Sequence, residues 1–107
     1  MKRLLIVAFT LLSVGVWAQN MEGKVVIEFN ASFNDANKYT SLNQLSGARL
    51  YRMDIEKNPA LRDKYKIKSV PTIILFEDGV EQWRWSAGID MKIHVHWREL
   101  QDAINRF

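Results

Sequence analysis

The sequence predicts an α/β fold, a four-stranded mixed sheet with helices on both faces, in the order βαβ, a short helix, then ββα. Three observations carry that prediction. Val25-Val26-Ile27-Glu28-Phe29 is a nearly unbroken apolar run, the pattern of a strand covered on both faces. Asp78-Gly79 is a hairpin signal between the β-rich runs 72–77 and 80–86. Between and after these strands, apolar residues recur at helical spacing, which places helices against the sheet.

Each element follows in turn. Lys24 to Asn30 is the first strand, with Glu28 as its one charged interior residue. Asn34 or Asp35 is expected to cap a helix whose Tyr39, Leu42 and Leu45 face the core, with Ser46-Gly47 as its stop. Arg49 to Ile55 is the second strand, parallel to the first through a right-handed crossover, with Leu50, Tyr51, Met53 and Ile55 as apolar members. Asn58-Pro59 is an N-cap and N1 pair for a short helix to about Tyr65. Thr72 to Glu77 and Val80 to Ser86 form the antiparallel hairpin. The last helix is expected to start after Asp90 as cap, with Ile93, Trp97, Leu100 and Ile104 as its buried stripe.

The chain has 107 residues, enough for one small domain. Lys2-Arg3, an apolar run from Leu4 to Ala18, and the small residues Val16 and Ala18 have the parts of a secretory signal peptide, with cleavage expected after Ala18. The domain is then 19–107, and the expected location is periplasmic or secreted. A run of about 15 residues falls short of the roughly 20 needed to span a bilayer, so no stable membrane span is expected after cleavage; the alternative is an uncleaved N-terminal anchor. Removing 1–18 takes two of the 15 basic residues and none of the 12 acidic ones, leaving a net charge of +1. No basic block with interleaved aromatics remains, so no nucleic-acid partner is expected. With no cysteine, the domain must be held by packing alone.

Two ordered blocks carry a resemblance. Val25 to Phe33 runs into Asn34-Asp35-Ala36-Asn37-Lys38; further on come Asp54 to Pro59, Lys64 to Ile67, then Ser69-Val70-Pro71-Thr72-Ile73-Ile74-Leu75-Phe76 with Gly79. From Lys24 to Gly88 the chain resembles the thioredoxin-like family, in a variant lacking both cysteines of the Cys-x-x-Cys motif. The resemblance implies a minimal thioredoxin-like fold, without the family's extra N-terminal strand and helix. It places Asn34 and Asn37 where the two cysteines stand, Glu28 at the family's buried carboxylate, and Pro71 at its cis-proline. Amide side chains form no mixed disulfide and carry no electrons, so disulfide exchange by this chain alone is not expected.

What the resemblance leaves is a groove. Val70 would offer backbone groups to an extended peptide, with Phe33, Ile89 and Gly88 as apolar rim, and Phe33, Asn34, Asp35, Ala36, Asn37, Val70, Pro71 and Thr72 as the candidate binding set. The Asn pair has two readings, as turn-forming caps or, for Asn34, as a contact to bound peptide. Glu28 also has two, a half-exposed residue paired with Lys38 or Lys68, or a buried carboxyl of perturbed acidity. Trp83 and Trp85 alternate on one face of the fourth strand and fit core packing or a stacking platform. His94-x-His96 on a helix points two ways, so no metal is expected, nor any cofactor. The expected function is an exported, redox-inactive domain that binds a protein or peptide partner. Alternatives are a thiol-disulfide system relying on partner cysteines and a structural subunit of an envelope complex; no motif sets an oligomeric state.

Overall fold

The computed structural model describes residues 21–107. The signal-peptide and cleavage expectations therefore lie outside the described residues. Strands β1 (Lys24–Asn30), β2 (Arg49–Asp54), β3 (Thr72–Glu77) and β4 (Val80–Ser86) form one sheet in the order β2-β1-β3-β4. β1 runs parallel to β2 and antiparallel to β3, and β3 and β4 form the hairpin, so the sheet is mixed. Asp78 and Gly79 turn that hairpin at φ of 52° and 83°. This left-handed geometry is the one that Asp-Gly supplies at low cost.

The period of two along β1 divides its side chains between two cores. Val25, Ile27 and Phe29 face Ile74, Phe76, Leu61 and Ile67 on one side of the sheet. Val26 faces Ile73, Leu75, Leu42, Leu100 and Ile104 on the other. Each buried aliphatic or aromatic side chain of this kind contributes about 1.5–3 kcal/mol, which is how a cysteine-free domain of this size holds together. Helix α1 (Pro59–Lys64) covers the first core and α2 (Trp97–Arg106) the second. Arg84 secures the C-terminal end of α1: it pairs bidentately with Glu81 and donates to the carbonyls of Tyr65 and Lys66.

Two elements differ from the sequence expectation. The helix expected from Asn34 or Asp35 to Gly47 is replaced by two short 3₁₀ segments, Ser32–Asn37 and Thr40–Gln44, with Lys38 and Tyr39 extended between them. The break falls at Tyr39, whose carbonyl accepts from Leu42 N–H to open the second segment but whose polar groups are also held by side chains of the sheet. Its N–H donates to Glu28 Oε2 at 2.7 Å, and its carbonyl accepts from Arg52 Nη2 at 2.6 Å. Ser32, Asn34, Asp35, Asn37, Thr40, Ser41 and Asn43 add little resistance, since short polar side chains compete with the backbone of a helix.

The last helix begins at Trp97, not after Asp90. Met91 has φ 60°, which ends any helical course there, and the Asp90 carboxylate is taken by Lys92 N–H and His94 Nε2. Residues 92–96 run extended, with Ile93, Val95 and Trp97 turned toward the second core and His94 and His96 toward solvent. His96, outside the expected stripe, is the N-cap: its Nδ1 accepts from Arg98 N–H at 3.2 Å. Smaller differences are that β2 ends at Asp54 and α1 at Lys64, and that Asn58 precedes α1 without a side-chain capping bond.

Candidate functional site

Three loops meet at the C-terminal end of β1: the first 3₁₀ segment, the loop entering β3, and the loop after β4. Asn34 is the joint between them. It is only 4% exposed, and its Nδ2 lies 3.1 Å from Asn30 Oδ1, 3.3 Å from the Val70 carbonyl and 3.1 Å from the Met91 carbonyl. Its Oδ1 accepts from Asn37 Nδ2 at 2.8 Å. A buried amide with both ends engaged gives each neighbouring loop a fixed position, because breaking any one contact strands a polar group away from water. Asn34 is thus neither helix cap nor surface donor; it fixes the loops from beneath. The N-cap of its segment is Ala31.

The turn is braced from the other side by Asp54. That carboxylate accepts from Ser32 Oγ and from the N–H groups of Glu56 and Lys57. The Ser32 bond, followed by the backbone donors, holds the Asp54 pKa below the usual carboxylate value. Glu56 in turn accepts from the Phe33 N–H at 3.1 Å. With its backbone held, the Phe33 ring is presented to solvent at 68% exposure, and Ile89 on the neighbouring loop is wholly exposed.

Between these loops and α1 lies a groove of about 570 Å³, floored by Ile55, Ile67, Val70 and Met91 and walled by Phe33. The Val70–Pro71 peptide is cis. One lone pair of the Val70 carbonyl is held by Asn34, and the Val70 N–H has no acceptor among the described residues. Of the candidate set, Phe33, Asp35 and Ala36 are exposed and Asn37 half-buried, whereas Asn34, Val70, Pro71 and Thr72 are buried. Thr72 Oγ1 donates to the Ser69 carbonyl at 2.7 Å and so shapes the loop.

On the opposite side of the 3₁₀ segment a second cleft, of about 350 Å³, reaches Glu28. Glu28 is 1% exposed and pairs with Arg52, not with Lys38 or Lys68, at 3.0 Å from Nε to Oε1. Burial is the largest influence and raises its pKa, while the Tyr39 N–H and the Arg52 guanidinium oppose the rise.

The Thioredoxin family model matches residues 16–96. The chain belongs to the thioredoxin family. Its curated relatives include the thioredoxin of Rickettsia bellii, 33% identical over 51 residues, which are 48% of this chain and 42% of that protein. Thioredoxin Y1 of Arabidopsis thaliana chloroplasts is 39% identical over 44 residues, 41% of this chain and 26% of that protein. The aligned stretches thus span less than half the length of these relatives. Among solved structures, a mutant thioredoxin from Halobacterium salinarum superimposes with TM-score 0.66 at 21% identity, covering 84% of this chain and 79% of that one. Reduced Schistosoma mansoni thioredoxin gives TM-score 0.63 at 20% identity over 88% of both chains. These likenesses establish the thioredoxin fold, whose sheet has four strands among the described residues.

The chain holds no cysteine. Sequence reasoning missed Arg52, Tyr39 and Met91. For Arg52 a signal existed: a carboxylate inside an apolar strand needs a cation from a neighbouring strand, and Arg52 is the basic residue inside β2. The tryptophans divide, with Trp85 buried and its Nε1 donating to Glu99, and Trp83 49% exposed against Phe107 at 6.4 Å between centroids. No group of three or more potential metal-ligating side chains converges among the described residues. No helix among them is long and apolar enough to cross a membrane.

Proposed function

We propose that this thioredoxin-family chain is an exported, redox-inactive binding module that holds an extended segment of another protein in the groove between Phe33 and Val70. The observation that carries the reading is the Asn34 joint. An intact three-loop framework, with Phe33 and Ile89 exposed beside an apolar floor, is retained around a site with no thiol. The unpartnered Val70 N–H supplies a backbone donor for β-type pairing, and the floor supplies a seat for an apolar side chain. Phe33 brings a rigid aromatic surface, the residue class that dominates binding energy at interfaces.

Titration of ¹⁵N-labelled protein with extended peptides tests this. Amide signals of Phe33 and Val70 should move first. Shifts confined to β4 and α2 would sink the groove reading. Insulin reduction with dithiothreitol tests the redox half: turnover by the purified chain above the dithiothreitol background would overturn it.

A further inference from the structure

The groove has a chemical polarity that its apolar floor does not explain. Its charged lining residues are Glu56, Arg62 and Lys68. Glu56 already receives the Phe33 N–H and is occupied in shaping the wall. Lys68 is exposed and has no acidic partner among the described residues. Arg62 has only Asp63, at 3.9 Å with both side chains more than half exposed, a contact worth little in water. Two cations with no close carboxylate partner therefore border an apolar floor against the single carboxylate of Glu56, and the charged lining sums to one net positive charge.

We infer that the segment this groove takes carries a bulky apolar residue with an aspartate or glutamate close beside it in sequence, the apolar side chain on Ile55, Ile67, Val70 and Met91 and the carboxylate against Lys68 and Arg62; this rests on the groove reading above. A basic residue in the same place meets two like charges, so the rim selects against it as well as for its opposite. Because both cations are exposed, the selection acts at low salt and fades as salt screens it.

The test uses three synthetic peptides of about eight residues, long enough to cross the groove at ~3.3 Å per residue. They share one leucine-centred core and differ only in a flanking Asp, Ser or Lys. Each is titrated into the ¹⁵N-labelled protein at low salt and again in roughly 1 M salt, where the screening length is ~3 Å. The expected affinity order is Asp over Ser over Lys, by roughly fivefold per step at low salt, nearly equal at high salt. Lys68→Glu should reverse the order of the Asp and Lys peptides while leaving the rest of the amide spectrum in place. Equal affinities at low salt, with Phe33 and Val70 still shifting, would overturn the charge inference and leave the groove reading standing. No shift at Phe33 or Val70 with any peptide would overturn both.

Discussion

Glu28 and Arg52 stand directly opposite each other in the parallel register of β1 and β2, and their side chains close to 3.0 Å with the carboxylate wholly buried. Both also hold Tyr39, Glu28 through its N–H and Arg52 through its carbonyl. The Tyr39 hydroxyl donates to the Val95 carbonyl at 2.6 Å, so the same residue ties the crossover to the extended stretch before α2. One cross-strand ion pair thus sets the path of the chain over the second core.

The acidity of Glu28 makes this arrangement pH-dependent. Its folded pKa is raised, chiefly by burial, so between the unfolded value near 4.5 and the folded value the native state binds more protons than the unfolded state. Stability from this group is therefore highest in acid and falls as pH rises through that window. Urea unfolding of the wild type and of Glu28→Gln, from pH 4 to pH 7, should show the wild type losing ground to the variant as pH rises. A difference that stays flat across that range would contradict the assignment.

Arg52→Met removes the partner and leaves the carboxylate buried. The loss should be about 2–3 kcal/mol at neutral pH, below that of a wholly buried pair because the guanidinium is 43% exposed. Glu28→Gln/Arg52→Met should be less destabilised than the sum of the two single changes, which denaturant midpoints measure directly.

The strands were legible because their signals are local. β3, the Asp78-Gly79 turn and β4 fall at the expected residues, since β-rich runs and a left-handed turn pair leave few alternatives. The two helical differences come from periods read too loosely. Tyr39, Leu42 and Leu45 recur every three residues, which is the 3₁₀ repeat, and Ile93, Val95 and Trp97 recur every two, which is an extended repeat. At the candidate site, Asn34 and Glu28 stood out in the sequence. Their partners Arg52, Tyr39 and Met91 did not, because they reach them only through tertiary contacts.

Asn34→Ala should cost about 2–4 kcal/mol, since it strands the buried Val70 carbonyl and the half-buried Met91 carbonyl and removes the partners of Asn30 Oδ1 and Asn37 Nδ2 together. Phe33→Ala, at an exposed position, should change stability by less than about 0.5 kcal/mol. Thermal unfolding of the pair separates the joint from the rim; similar losses in both would remove the distinction between them.

His96→Ala should lower stability by about 1 kcal/mol through loss of the α2 cap, and His96→Asp should restore most of it, because aspartate accepts from the same N–H groups and suits the positive end of the helix. Amide exchange at Arg98 and Glu99 reports the cap directly. Unchanged exchange in the alanine variant would show that the imidazole contributes nothing there.

A pair of cysteines at positions 34 and 37 tests the geometry of the loop. Asn37 Nδ2 lies 2.8 Å from Asn34 Oδ1, so the two side chains face each other across the kink at Asn34, and Asn34→Cys/Asn37→Cys should let two sulfurs approach and bond. Oxidation should leave no free thiol by Ellman titration. The variant should still be a poor insulin reductant, because the 3₁₀ segment ends at Asn37, only three residues after Asn34, and is not a long α-helix, so the thiolate gains little from a macrodipole. It also forfeits the Asn34 contacts to Val70 and Met91, so its unfolding midpoint should fall below that of the wild type even when oxidised. Two titratable thiols persisting after oxidation in a natively folded variant would show that the side chains at 34 and 37 do not face each other as described.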